Sequence, residues 1–241
     1  MRRLIALLAL LITVPACAQQ SNPLRQAAAE GVKSMAWKIE TEGVSVCCCN
    51  ENDGYWTNHG DRARIEYDEL IVVAQMEGTR IRKVRVKEPN CPIKVDRFVQ
   101  PTQEQSLDYL LSKIDDADRE GQLLSVVAMH DHPRVVPELI QLARHHRETE
   151  VRRHAIFWLG QKAGEKAAGE LRRAVDEDPN EDVREHAVFA ISQLPHDRSV
   201  PMLINLVKTH KSPGVRKKAM FWLAQTGDQR ALDLIEDILK P

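Results

Sequence analysis

The sequence predicts a mainly α protein: an α-solenoid of about four helix pairs, preceded by a small β-rich N-terminal domain. Three observations predict it. The stretch Val151–Leu159 returns at Val183–Ile191 and again at Val215–Leu223, stepped by 32 residues each time with no insertion. Self-similarity at a fixed period of this size marks stacked supersecondary units. Within one copy, Val151, Ala155, Trp158 and Leu159 fall at i, i+4, i+7 and i+8, one face of a helix. A second apolar column of the same period follows each copy. It runs Leu139, Leu171, Leu203, Ile235, flanked by Leu142, Ala174, Leu206, Ile238 and by Ala143, Val175, Val207, Leu239. Each unit is therefore a first (A) and a second (B) helix. Neither buries its stripe alone, so the units must stack.

Chain breakers sit where the turns belong: Gly164, Asp178-Pro179-Asn180, Leu194-Pro195-His196, Ser212-Pro213-Gly214 and Gly227-Asp228. The Val-Arg-x-x-Ala opening of helix A, the Asp-Pro turn before it and the Gly-Asp turn before helix B resemble the short HEAT-like repeat of the phycobilin-lyase type. The resemblance covers residues 147–241 and keeps its register upstream. Leu123, Val126 and Val127 lie one period before Ala155, Trp158 and Leu159, and Leu107, Leu110 and Leu111 one period before Leu139, Leu142 and Ala143. This gives four A/B units, the first degenerate, behind one B-like capping helix. The solenoid is assigned to 101–241, with Thr102 and Gln105 placed as a capping box at its start.

Residues 1–18 have the form of a secretory signal peptide. Arg2 and Arg3 form the charged end, Leu4–Val14 the apolar run, and Ala16-Cys17-Ala18 the cleavage site. The run is too short to span a bilayer. Cleavage after Ala18 implies an exported, periplasmic protein. The competing reading makes Cys17 a lipidated anchor, the one route by which the chain would meet a membrane, and Pro15 counts against it. Export leaves Cys47, Cys48, Cys49 and Cys91, an even set that suggests disulfides in an oxidising compartment. Three connectivities remain open.

Residues 19–100 form the Cys-containing β-rich domain. A short helix or loose segment fills 19–34. Alternation marks Met35–Glu40 and Gly43–Cys47, and a hairpin joins Glu69–Gln75 to Arg80–Val86 across Glu77-Gly78-Thr79. Arg80, Arg82 and Arg85 alternate imperfectly with Ile81, Val84 and Val86. With its Val46-Cys47-Cys48 run, its Asn90-Cys91-Pro92 segment and the repeats, the whole chain is similar to exported bacterial HEAT-repeat domain-containing proteins. Those carry a further cysteine just before a segment like Arg64-Ile65-Glu66, where this chain has Ala63, so their pairing does not transfer.

Lys and Arg number 34 against 35 Asp and Glu. No basic stripe interleaved with aromatics occurs, which argues against nucleic acid. Eight of nine histidines lie between His130 and His210. His154 and His186 share a repeat position, but neighbouring helices are about 10 Å apart, too far for two imidazoles to share a metal. They are placed at the half-solvated rim of helix A, His130-Asp131-His132 at a turn, and no metal or cofactor is expected. Arg152, Arg184 and Arg216 form a ladder that stacks units through turn carbonyls or through Glu150 or Asp182. Phe157, Phe189, Phe221, Trp158 and Trp222 are assigned to the core. No nucleophile elbow, P-loop or zincin motif is present. The expectation is a non-catalytic protein–protein interaction scaffold of the cell envelope. Its partner, a protein or peptide, would lie along one B-helix row: Glu138, Gln141, Glu170, Arg173, Met202, Asn205, Leu234 and Asp237. The alternative is an enzyme or a redox or metal-binding protein.

Overall fold

The computed structural model describes residues 22–44, 66–117, 121–162 and 165–240. The leader with Cys17, and Cys47, Cys48 and Cys49, lie outside the described residues. Helix α1 (Pro23–Ala29) precedes a four-stranded sheet of β1 (Ser34–Val44), β2 (Tyr67–Glu77), β3 (Arg80–Lys87) and β4 (Arg97–Phe98). The order is β3-β2-β1-β4, with β1 antiparallel to β2 and parallel to β4. The β2–β3 turn holds Gly78 at φ +60°, a left-handed conformation cheap only for glycine. A register shift between Gln75 and Met76 leaves Arg82 unpaired, so Arg82 and Lys83 both face solvent between buried Ile81 and Val84. The bulge accounts for the imperfect alternation of this strand.

Met35, Trp37, Ile39, Leu70, Val72 and Ala74 bury the inner face of the sheet. It packs on the first solenoid helices, α2 (Gln103–Leu111), α3 (Ile114–Ala117) and α4 (Gln122–Met129). Thr102 and Gln105 form the expected reciprocal cap of α2. The seam is polar at one buried point. Trp37 Nε1 donates to Ser106 Oγ at 2.8 Å, Ser106 Oγ lies 2.9 Å from His130 Nε2, and His130 Nδ1 lies 2.8 Å from the Val126 carbonyl. An indole N–H can only donate and a carbonyl can only accept. His130 therefore carries its proton on Nδ1, and the Ser106 hydroxyl donates to Nε2. Burial pushes the His130 imidazole down to about 4. Beside it, Asp131 N–H donates to the Glu40 carbonyl at 2.9 Å.

The remaining helices alternate along the solenoid: α5 (Val135–His145), α6 (Thr149–Gln161), α7 (Glu165–Glu177), α8 (Glu181–Ser192), α9 (His196–Thr209), α10 (Pro213–Gln225) and α11 (Gln229–Leu239). The A helices are α4, α6, α8 and α10. One hydrophobic core runs from the sheet to α11. Leu107, Leu139, Leu171 and Leu203 are fully buried on the B side. On the A side so are Ala155, Ala187 and Ala219. These small residues bring the A helices together: a Cβ on Gly160 of α6 would sit 3.0 Å from the Ala190 carbonyl oxygen of α8. Helices α6, α8 and α10 pack directly on one another, while successive B helices touch less. The A side is thus the more tightly packed side of the stack.

The last unit departs from the repeat pattern. Ile238 is 53 % exposed and Ile235 only half-buried, although their columns predict core, whereas Leu234, placed on the exposed row, is 8 % exposed. A helix inside a solenoid buries both flanks of its stripe. Among the described elements, helix α11 packs on α9 and α10. The flank toward the preceding unit, with Ala231 and Leu234, is covered, and the flank with Ile235 and Ile238 is not.

One turn recurs before α6, α8 and α10. Its first residue is His146, Asp178 or His210, and that side chain accepts the backbone N–H two residues on, from Glu148 at 3.2 Å, Asn180 at 2.9 Å and Ser212 at 3.1 Å. Its carbonyl accepts from the arginine six residues on: Arg152 to His146 at 3.0 Å, Arg184 to Asp178 at 2.7 Å, Arg216 to His210 at 2.7 Å. Arg152 also reaches the next turn, where its fork holds Asp178 at 3.0 and 3.3 Å. Glu150 instead pairs with Arg153. One repeat further on, His210 stands where Asp178 stood. Its Nδ1 accepts from Ser212, so a neutral His210 carries its proton on Nε2. Arg184 Nε is a donor as well, and both atoms are buried without a hydrogen-bond partner, the Asp176 carboxylate lying 3.7 Å from His210 Nε2.

Two outcomes are expected. His130 has a folded pKa near 4 against 6.5 for an unperturbed histidine. The unfolded chain therefore takes up a proton that the fold refuses. Stability is full above about pH 6.5 and falls as pH drops toward 4, by on the order of 3 kcal/mol from this group. Urea unfolding midpoints across this range check it, and His130→Gln should flatten the slope. His210→Asp gives Arg184 the acceptor that Arg152 already has, while keeping an acceptor for the Ser212 N–H. It should raise stability by about 1 kcal/mol in the same assay.

Candidate functional site

The B-helix row is only partly open. Its members at 138, 170, 202 and 234 face the preceding unit. Glu138 accepts from Arg134 at 3.0 Å, and Glu170 on α7 takes a two-pronged contact from Arg144 on α5. Met202 packs on the core, and Leu234 is buried in it. The other four stand further out. Gln141, Asn205 and Asp237 are exposed, and Arg173 is half-buried. Yet Arg173 pairs with Glu177 at 2.9 Å, Asn205 accepts from Arg172 at 2.6 Å, and Asp237 lies 3.4 Å from Lys240 Nζ. The ladder of Arg152, Arg184 and Arg216 is engaged in the turns described above. Cys91 is buried at the end of the β-rich segment, 6 % exposed.

The histidines have local duties rather than a shared one. His146 and His210 serve turns, and His132 Nδ1 accepts from Arg134 N at 3.3 Å. His130 is sealed in the seam. Its Ser106 neighbour has the chemistry of a nucleophile beside a base. However, both are fully buried, and the hydroxyl oxygen is occupied by the Trp37 N–H. Among the described residues, no group of three His, Cys, Asp or Glu side chains is placed to hold a metal.

The outer face of the A helices is organised differently. Position by position it carries His154, His186, Lys218; then Phe157, Phe189, Phe221; then Gln161, Gln193, Gln225. These positions are one helical turn apart, so they align on one face of each helix. The spacing suggested that the phenylalanines are core, and they are so only in part: Phe157 and Trp222 pack against the core without being enclosed by it. Phe157 and Phe189 are half-buried, Phe221 is 53 % exposed and Trp222 is half-buried, and only Trp158 is buried as expected. The rings form a continuous strip. Phe157 stacks on Phe189 with centroids 6.3 Å apart and planes at 11°, and Phe189 meets Trp222 at 5.0 Å, which meets Phe221 at 5.0 Å. His186 sits 5.5 Å from Phe189. Desolvation, and then the charges of Arg153, His154 and Lys218, lower its pKa to about 4, so it is neutral at neutral pH.

The three glutamines are exposed. Gln193 donates to Ser192 Oγ at 3.1 Å, while the carboxamides of Gln161 and Gln225 have no protein partner among the described residues. Salt-bridged charges edge the strip: Arg153 with Glu150, and Lys218 with Glu185 at 3.6 Å. The strip begins at α6 because one period earlier stand Ser125 and Met129, both buried. The sequence did contain the signal. The phenylalanine and the glutamine recur identically in the last three units, whereas the B-helix row changes residue type from unit to unit.

Residues 136–194 and 169–241 match the family of HEAT repeats. Among solved structures, the chain is similar to one in the complex of CpcE and CpcF of phycocyanin lyase from Nostoc sp. PCC7120. The match has 14 % identity and a TM-score of 0.43, over 56 % of this chain and 88 % of that one. No curated protein matches the chain. Residues 136–241 are thus a HEAT-repeat solenoid, which a small sheet precedes.

Proposed function

We propose that this chain is a non-catalytic protein-binding scaffold of the cell envelope, and that its contact surface is the A-helix face. The half-exposed ring strip from Phe157 to Phe221 carries the reading. Leaving aromatic area in water on three successive units costs free energy that burial against a partner recovers. Aromatic side chains are also the ones that dominate binding energy at protein interfaces. The surrounding charges are of both signs and paired, which suits a protein or peptide better than a polyanion. The role requires no cofactor. Export to the periplasm by removal of residues 1–18 belongs to the same proposal, as does a disulfide from Cys91 to Cys47, Cys48 or Cys49. Burial of Cys91 in a small sheet-bearing segment supports the latter.

Two measurements test this. A photo-crosslinking amino acid placed at Phe189 should give discrete protein adducts in extract from the native source, and the same probe at Gln141 should give few. Equal labelling from both positions returns the interface to the B helices or removes it. N-terminal sequencing of the mature protein should begin at Gln19. A retained leader, or a lipid on Cys17, overturns the proposed localisation.

A further inference from the structure

We propose that the A-helix face binds its partner as an extended polypeptide segment, and that Gln161, Gln193 and Gln225 hold the segment's backbone while the ring strip takes its side chains. This rests on the reading of the A face as the contact surface and adds how that surface recognises its ligand. Three observations carry it. The glutamines are exposed and recur at one position on three helices packed side by side, so their carboxamides form a row across the helices. A carboxamide presents one acceptor and two donors, the complement of a peptide unit's N–H and C=O. A row of carboxylates or guanidinium groups could satisfy only one of these two.

The spacing also fits. Packed helices lie about 8–10 Å apart, and the A helices, closed down by Gly160 against Ala190, sit toward the lower end. An extended chain in the polyproline-II form advances about 3.1 Å per residue with three residues per turn and no internal hydrogen bonds, so three residues span about one helix spacing and every third residue returns to the same side. One glutamine can thus meet every third peptide unit. The side chains of a segment held this way return to the ring strip with the same period of three. The strip lies one helical turn away from the glutamine row and runs parallel to it. Neutral His186 keeps the middle of the strip free of charge. The segment expected is therefore uncharged at its centre, extended, and apolar at every third residue.

The test uses the full chain and a fluorescein-labelled peptide of three Leu-Ser-Thr triplets, read by fluorescence anisotropy. A peptide of the same composition with its leucines adjacent is the control. The period-three peptide should bind at least about ten-fold more tightly than the control. Methylating its backbone nitrogens at every third position should lower affinity by a similar factor, and so should the triple variant Gln161→Ala, Gln193→Ala, Gln225→Ala. These residues are exposed, so thermal melts of that variant should match the parent. No binding by the period-three peptide, equal binding of the control, or indifference to both backbone methylation and the glutamine variant each overturns the proposal. If the peptide assay fails while crosslinking from Phe189 still yields specific adducts, extended-segment recognition falls and the A-face interface stands. If Phe189 crosslinks to nothing and Phe189→Ala leaves peptide binding unchanged, both fall.

Discussion

The hydrogen-bonded chain from Trp37 through Ser106 to His130 fixes where the solenoid starts. Each link has one possible direction. The indole donates, so the serine hydroxyl must pass its own proton to His130 Nε2, and His130 must donate from Nδ1 to the Val126 carbonyl. Removing any member leaves a buried polar atom unsatisfied, which costs about 1–3 kcal/mol rather than the lesser worth of one bond. The chain joins β1 to α2 and α4, and so seats the sheet on the flank that a preceding repeat would otherwise cover. A solenoid needs such a cap, because its first unit has an apolar side with no neighbour. The cap also decides where the outer A face can begin: Ser125 and Met129 are buried, so the strip starts one unit later, at Phe157.

Beyond the seam, a single turn design carries the chain from unit to unit. An arginine six residues into each unit returns to the turn carbonyl, and the first turn residue accepts the N–H that would be orphaned before the helix. Histidine and aspartate both fill that post because each offers an acceptor at the right reach. They differ in what remains. Asp178 has a second oxygen for the Arg152 fork, a buried bidentate pair that ties two units. His210 has an N–H, and so cannot meet Arg184. The same duty explains several of the clustered histidines without invoking a shared ligand.

The proposed interface follows from helix packing. Alanine at 155, 187 and 219 and glycine at 160 let the A helices approach one another. Close approach brings the flanking phenylalanines within ring-stacking distance of each other, and fixes the spacing of the glutamines beyond them. On the B side the units splay, and the gaps are filled by ion pairs such as Arg144 with Glu170. Part of the polar row there is taken up by contacts between units, as in Arg144 with Glu170 and Arg172 with Asn205, whereas on the A side close-packed backbones do most of that work.

The sequence by itself determined the repeat. A 32-residue period carried without insertion fixes which residues are equivalent, and the helical spacing within each copy fixes the buried columns at 107, 139, 171 and 203. The cap at Thr102 and Gln105 and the β2–β3 hairpin are equally local. Periodicity does not say how a unit's flanks are covered, because that depends on neighbours. Tertiary structure alone therefore decided that Leu234 is buried while Ile238 is exposed, that the row with Glu170 faces another helix, and that His130 lies inside the seam. It also decided that Phe157 and Phe189 are only half-buried and that Phe221 is exposed. A phenylalanine beside alanine and leucine at helical spacing belongs to the core only if a further layer covers that side. Here the outer face of the A helices is that side, and no described element covers it.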